Sequence, residues 1–211
     1  GFSMTIRTYS VSDLTRTYVD HKTGQARLDM TAITSTDDFP SFEAVRDHVL
    51  NDLRYQRPQA DKMETFGWVP TLYMPSERTF KSRKTGAEFT RFGSWRNGGA
   101  EADALSVFCA DVDNSDTARP IVSMQTVASA LDGLGCSYFM YTTFSHTAEK
   151  PKFRVVIDTD RDLTRAEMLR IAVWLNWTVF GQQADLSIYD PGDFIFAPPY
   201  AATVTERLRA A

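Results

Sequence analysis

The sequence predicts an α+β fold, and three observations support this prediction. Short apolar runs rich in strand-forming residues alternate with longer segments whose apolar residues recur at helical spacing. A hairpin signal in the middle of the chain indicates antiparallel pairing. The chain has 211 residues, of which 43% are hydrophobic and 24% are charged, so it is long and apolar enough to bury a substantial core. We therefore expect one compact domain.

Composition also excludes some classes of protein. No apolar run approaches the roughly 18 residues needed to span a bilayer, and the N-terminus lacks a basic region followed by an apolar core. We expect a cytoplasmic monomer with no membrane partner. Gly1–Ser3, which precede Met4, are interpreted as residues added by cloning. Cys109 and Cys136 lie in apolar runs, which favours buried thiols over a disulfide or a ligand pair.

The N-terminal part contains several expected elements. We predict a strand over 5–11, a turn at 22–24, and a helix that is capped by Ser41 and fades by Pro58. An apolar and aromatic strand over 67–74 begins or bends at its proline. The first hundred residues match no motif that we can name.

Basic residues are concentrated in one segment, although the net charge is −4. They are Arg78, Lys81, Arg83, Lys84, Arg91 and Arg96. The turn 84–86 joins two predicted strands, 79–83 and 87–95, and aromatic residues interleave with the cations. This composition is expected where a nucleic acid backbone is neutralised and bases stack. The alternative is an exposed hairpin with one basic face and an aromatic face on the core.

The C-terminal half predicts alternating strands and helices. Strands are expected over 105–114, 137–144, 152–158 and 194–197. The loop 116–120 opens one helix, in which Pro120 suits the first turn, and Gly133 and Gly135 end this helix. Thr164 and Glu167 form a capping box for another helix that runs to about Phe180. A short C-terminal helix is expected to follow the last strand.

Two aspartates end the first of these strands. Alternation along a strand places Asp111 and Asp113 on one face. Their mutual repulsion and the apolar surroundings would raise a pKa unless a positive charge lies between them, and a divalent cation is the usual solution. Neither position is specific alone, since an Asp-x-Asp pair at a strand end is common and Asp113-Asn114 also reads as a turn.

Other polar signals fall at the ends of neighbouring strands. Ser145 and His146 follow one strand, Lys152 and Arg154 lie on one face of the next, and an acidic pair precedes the last. That pair is Asp185 and Asp190. Two or three carboxylates with a neighbouring His, Lys and Arg can hold one or two Mg²⁺ or Mn²⁺ ions and a triphosphate. This is the set of groups that nucleotidyl transfer requires.

With these motifs in place, the sequence resembles the archaeo-eukaryotic primase superfamily, in particular the prim-pol and replication primases of plasmids and phages. The matching segments are FCADVDN (108–114), YTTFSHTAEKPKFRVVI (141–157) and ADLSIYDPGDFIFAPPY (184–200). The resemblance covers about 105–200 and implies an RRM-like antiparallel sheet with flanking helices over 105–211. It also implies that an N-terminal α/β portion, 1–104, which carries the basic hairpin, completes a primase cleft.

The resemblance also implies roles for individual residues. Asp111, Asp113 and Asp185 are expected to be the metal ligands. Ser145 and His146 are expected at the phosphates of the incoming nucleotide, with Lys152 or Arg154 assisting. Asp190 is the other candidate for the third catalytic carboxylate, and Asp185 is preferred because it follows the loop in the position of the family's hydrophobic-Asp motif.

The expected function is synthesis or extension of primers on a single-stranded DNA template, from NTP or dNTP, by a mobile-element replication protein. Mg²⁺ or Mn²⁺ is the expected cofactor, and a helicase domain or partner is an expected associate. Two alternatives stay open. One is a catalytically inactive primase-like module that binds an origin, and the other is a different Asp-x-Asp enzyme, such as a metal-dependent nuclease or a nucleotide-sugar transferase.

Overall fold

The computed structural model describes residues 6–55, 62–73, 75–95, 104–186 and 195–210. Two of the predicted functional residues, Arg96 and Asp190, lie outside the described residues. The described chain is a mixed α+β structure with several antiparallel sheets, as the sequence predicts. Among its helices, none is long and apolar enough to cross a membrane.

The N-terminal elements begin with short strands. These are β1 (Tyr9–Leu14), β2 (Thr17–Val19), β3 (Ala26–Leu28), β4 (Ala32–Ile33) and β5 (Ser35–Phe39). The predicted strand over 5–11 therefore begins and ends later than expected. Helix α1 (Phe42–Asp47) starts where predicted, because the Ser41 side chain accepts the Ala44 backbone N–H at 3.1 Å. It continues as a π-helical segment, His48–Leu53.

The basic segment forms the predicted hairpin. Strand β6 (Gly67–Val69) stops before Pro70, so it is shorter than expected. Strands β7 (Ser76–Lys81) and β8 (Glu88–Trp95) then pair antiparallel, with Phe80 opposite Phe89. Gly86 has φ +73°, a left-handed conformation that suits a residue without a Cβ.

The C-terminal half contains five further strands and two helices in the described chain. They are β9 (Phe108–Val112), α2 (Met124–Leu134), β10 (Tyr138–Thr142), β11 (Phe153–Ile157), α3 (Arg165–Thr178), β12 (Ile195–Phe196) and β13 (Val204–Arg207). Ser123 caps α2, so Pro120 lies in the preceding loop and not in the first turn. The capping box of Thr164 and Glu167 at α3 is formed as predicted.

Two expectations for the end of the chain are wrong. The segment expected to form a C-terminal helix contains β13, which pairs with β10, Tyr138 lying opposite Arg207. Strand β12 does not join the sheet of β9. It pairs with β6, with Ile195 opposite Trp68. Both segments are too short for their own residues to determine their structure. The pairing with a strand that is distant in sequence decides which secondary structure and which sheet each segment joins.

Two four-stranded sheets contain most of the strands, in the orders β12-β6-β1-β5 and β13-β10-β11-β9. In the second sheet β11 lies between β9 and β10, which run parallel to each other, and β10 lies between β11 and β13. These are two interleaved split β-α-β units. If β9, β10, β11 and β13 are counted as the first to fourth strands, the second and third are central in this sheet. In an RRM sheet, by contrast, the first and third strands are central.

One continuous hydrophobic core joins the two sheets. The rings of Phe42 on α1 and Phe139 on β10 have centroids 5.5 Å apart. The Trp68 indole N–H donates to the Tyr141 hydroxyl at 3.4 Å, which links β6 to β10. Cys109 is buried, Cys136 is half-buried, and both are free thiols. The second sheet is covered on both faces, so every residue of β11 is buried.

Candidate functional site

The end of β9 carries Asp111 and Asp113, and a later segment runs alongside it. The Asp113 N–H donates to the Gln183 carbonyl at 3.1 Å, and the Asp185 N–H donates to the Asp111 carbonyl at 2.7 Å. Ala184 forms a single antiparallel bridge with Val112. The structure therefore places Asp185 beside the two aspartates, although more than seventy positions separate them in sequence.

Strand pairing brings Arg154 to the same place. Arg154 on β11 lies opposite Asp111 on β9. Its Nη1 is 3.5 Å from the Asp111 Oδ2, and the two side chains are only 11% and 19% exposed. The Nε of Arg154 is buried and has no hydrogen-bond partner among the described residues. This guanidinium is thus held inside the protein by one long ion pair and has unused donor capacity.

A cavity of about 130 Å³ opens at this strand end. Its polar lining includes Asp111, Asp113, Ser145, Lys152 and Arg154. The apolar lining comes from Tyr141, Phe144, Phe196, Ala197 and Pro199. Five of the residues predicted from the sequence are therefore brought together around one space.

The electrostatics of the cavity are only partly balanced. Burial raises the pKa of the Asp111 carboxyl, and the charges of Asp113 and Asp185 raise it further. Arg154 and Lys62 act in the opposite direction but do not cancel the increase in pKa. An additional cation near Asp111 would lower the cost of keeping this carboxylate ionised.

His146 does not line this cavity. It lines a neighbouring one of about 300 Å³, and the two share Thr143, Phe144 and Pro199. The Lys152 backbone N–H donates to His146 Nδ1 at 3.1 Å. The neutral ring therefore carries its proton on Nε2, which leaves that atom as a donor.

The described residues can be compared with the ligand sets that metal ions require. They contain no group of three or more His, Cys, Asp or Glu side chains arranged to hold a metal ion. Asp111 and Asp113 share the cavity, and Asp185 adds its charge to that of Asp111 without lining the cavity. Two oxygen-bearing side chains and open volume suit a divalent cation that keeps several water ligands.

Two buried amides hold the site, and the sequence reading missed both roles. The Asn114 side chain accepts the Val122 N–H at 2.8 Å and donates to the carbonyls of Val122 at 3.0 Å and Pro151 at 2.7 Å. It adopts φ +51°. Gln183 donates to the Asp116 carbonyl at 2.9 Å and accepts the Asp116 N–H at 3.1 Å. Both amides anchor the backbone that follows β9.

Lys62 is a further lining residue that the sequence reading missed. Its ammonium nitrogen lies 4.9 Å from the centre of the Phe196 ring. It belongs to the N-terminal half, far in sequence from the aspartates. The sequence contains no signal near it that points to this cavity.

The basic hairpin mixes cations and aromatic rings on the same face. Register places Arg78 opposite Arg91 and Phe80 opposite Phe89 on that face. The guanidinium carbons of Arg78 and Arg91 lie 5.3 Å and 5.1 Å from the centres of the Phe80 and Phe89 rings. The alternative of one basic face and a separate aromatic face is therefore wrong for these residues. Lys81, Arg83, Lys84 and Arg91 are exposed.

Comparison of the chain with protein-family models finds no match, and comparisons with curated proteins and with solved structures find none either. The geometry of the cavity and of the hairpin is therefore the basis for a functional conclusion.

Proposed function

We propose that this chain is a metal-dependent nucleotidyltransferase that synthesises or extends primers on single-stranded DNA. The observation that carries the proposal is the shared cavity, where the ends of β9 and β11 bring Asp111 and Asp113 together with Lys152 and Arg154. A triphosphate with its metal needs carboxylates and cations within one small space. The resemblance to the archaeo-eukaryotic primase superfamily adds the primase cleft to this proposal.

Each residue has a role in the proposed site. Asp111 and Asp113 would hold Mg²⁺ or Mn²⁺, with Asp185 or Asp190 as a further carboxylate. When bound, such an ion would activate an attacking hydroxyl and stabilise the charge on departing pyrophosphate. Arg154 and Lys152 neutralise phosphate oxygens, and the Nε2–H of His146 donates to a phosphate that extends into the neighbouring cavity.

The template has a proposed contact surface as well. On the β7–β8 hairpin, Arg78 and Arg91 lie beside the rings of Phe80 and Phe89. Cations neutralise the phosphates of single-stranded DNA, and bases stack on exposed rings. Phe89 is 40% exposed on this face, and Phe92, on the opposite face of the hairpin, is 73% exposed. A helicase domain or partner belongs to the same proposal.

The test is incorporation of labelled NTP or dNTP on a single-stranded DNA template, with Mg²⁺ or Mn²⁺, with and without an annealed primer. We expect Asp111→Ala and Asp113→Ala each to reduce incorporation by about 10²–10³-fold or more, since each removes a group that stabilises transition-state charge. Asp160→Ala is the matched control, because Asp160 is an exposed aspartate elsewhere on the chain.

Circular dichroism and thermal melting show whether each variant stays folded. Full incorporation by folded Asp111→Ala and Asp113→Ala would contradict the proposed chemistry. Degradation of the template in the absence of nucleotides would instead identify a nuclease.

A second candidate is a primase-like module that binds DNA without catalysis. It is favoured by the ion pair between Arg154 and Asp111, which occupies one carboxylate. This candidate predicts no incorporation with either metal. It also predicts DNA affinity that falls steeply with salt and depends on the basic hairpin.

A further inference from the structure

Two hairpin tips of this chain have the same sequence and the same geometry. The tip between β2 and β3 contains Lys22-Thr23-Gly24, and the tip between β7 and β8 contains Lys84-Thr85-Gly86. The two glycines have φ +69° and +73°.

Several hydrogen bonds of the two tips correspond. Gly24 N–H donates to the Asp20 carbonyl at 2.7 Å, and Gly86 N–H donates to the Ser82 carbonyl at 2.9 Å. The side chains of Asp20 and Ser82 accept the backbone N–H of the tip lysine, at 2.8 Å and 3.2 Å. The same local geometry therefore presents a lysine side chain from each hairpin.

The tips line one groove of about 960 Å³. The first hairpin contributes Tyr18 and Lys22 to its lining, and the second contributes Arg83 and Lys84. The three cations are exposed, and none of them forms an ion pair with another described residue. The acidic group in the lining, Asp20, is already paired with Arg27, whose Nε is 3.0 Å from Asp20 Oδ2. The groove therefore presents a net positive charge.

An aromatic ring accompanies this charge. Tyr18 is 51% exposed and Val19 is 58% exposed, and both lie on the groove side of the first tip. An exposed tyrosine beside unpaired cations offers a stacking surface next to phosphate-binding groups. This combination is complementary to a single nucleic acid strand.

We propose that the groove between the two tips binds the phosphate backbone of a single DNA strand. Lys22, Arg83 and Lys84 contact phosphates, and Tyr18 stacks on a base. The groove extends the binding surface beyond the basic hairpin to the first hairpin of the chain. It rests on the proposed function in one respect, namely that the bound strand is the template.

The experiment uses the full chain and a fluorescein-labelled oligothymidylate of about 20 nucleotides, longer than the ~4–16-nucleotide sites typical of such grooves. Anisotropy titrations at several salt concentrations give the affinity and its salt slope. For single strands each phosphate contact contributes about 0.7 to the slope. Lys22→Ala and Lys84→Ala should each lower the slope by about 0.7, and at 0.1 M salt each should weaken binding about fivefold.

Two further variants make the readout specific. Tyr18→Ala should weaken binding without changing the salt slope, because stacking releases no counterions. Arg170→Ala, which removes an exposed cation on α3, should leave both the affinity and the slope unchanged. An unchanged slope in the Lys22→Ala and Lys84→Ala double variant, or an equal loss in Arg170→Ala, would overturn the groove proposal.

The outcome is separable from that of the proposed function. If the chain binds the oligonucleotide through Lys22 and Lys84 but incorporates no nucleotide, the groove proposal is supported and the proposed polymerase activity is contradicted. If the chain incorporates nucleotides but the double variant keeps its affinity and salt slope, the proposed polymerase activity is supported and the groove proposal is contradicted.

Discussion

Each of the two four-stranded sheets contains one buried acid-base pair, and the two pairs differ in how completely they are satisfied. In the first pair, His48 Nε2 lies 3.0 Å and 2.9 Å from the two carboxylate oxygens of Asp13 on β1. Asp111 on β9 has one contact with Arg154, at 3.5 Å, beside a cavity. A buried pair whose charged groups are hydrogen-bonded to each other is suited to a structural role, because removing either partner destabilises the fold. A pair with unused hydrogen-bonding groups beside a cavity is suited to binding a ligand.

The surroundings of His48 favour the protonated, charged form of its imidazole, which strengthens the pair with Asp13. Burial acts to lower the pKa of His48, but the hydrogen bond and charge of Asp13, with the charge of Asp52, outweigh it and raise the pKa. A histidine with a raised pKa stabilises the fold fully below its unfolded pKa of about 6.5, and this stabilisation is lost as the pH rises through the folded-state value.

The largest expected effect follows from removing that histidine. His48→Leu leaves the carboxylate of Asp13, which is 5% exposed, buried without its partner. We expect the free energy of unfolding at pH 6 to fall by about 3–5 kcal/mol, measured by urea denaturation. The difference from wild type should shrink above about pH 6.5.

The double variant Asp13→Asn/His48→Leu is the matched control and should recover part of the loss, since no unpaired charge stays buried. A loss that is constant from pH 5 to pH 9 would show that packing of the imidazole, and not its charge, holds this sheet together.

A smaller effect is expected from the open pair. Arg154→Leu leaves Asp111 facing the cavity, where water reaches its carboxylate, so we expect a loss of about 1–3 kcal/mol in the free energy of unfolding. Asp111→Asn/Arg154→Leu should recover most of it. If Arg154→Leu costs as much as His48→Leu, the two pairs are equivalent, and the contrast between the sheets is wrong.

The smallest effect on stability is expected on the exposed hairpin, which provides a reference for both pairs. Arg91 is exposed and contacts the Phe89 ring, so Arg91→Ala should change the free energy of unfolding by no more than about 0.5 kcal/mol. Its affinity for single-stranded DNA should nevertheless fall about fivefold at 0.1 M salt. Unchanged affinity would remove Arg91 from the proposed template surface.

Several features of the fold were predictable because they depend on neighbours in sequence. The caps at Ser41 and Thr164 satisfy backbone N–H groups three residues away. The hairpin turn at Gly86 follows from a residue that tolerates positive φ. Strand β13 was mistaken for a helix because its pattern is too short to distinguish the two, and its pairing with β10 decides the outcome.

For the candidate site, the residues could be predicted from the sequence, but their arrangement in space could not. The adjacency of Asp111 and Asp113 follows from strand alternation, and Arg154 was expected nearby. The separation of His146 into a second cavity depends on the turn in which its backbone N–H donates to the Thr143 carbonyl at 3.1 Å. The roles of Asn114 and Gln183 required the distant carbonyls that they bind.

By itself, the sequence determined the local features of this protein: the capped helices, the hairpin turns, the face shared by two aspartates, and the segregation of basic residues. Only the tertiary structure decided that Arg154 lies opposite Asp111, that Asp185 runs beside β9, and that two lysine-bearing tips line one groove. Local hydrogen bonds and backbone preferences act over a few residues, whereas strand register is selected by contacts between residues far apart in the chain.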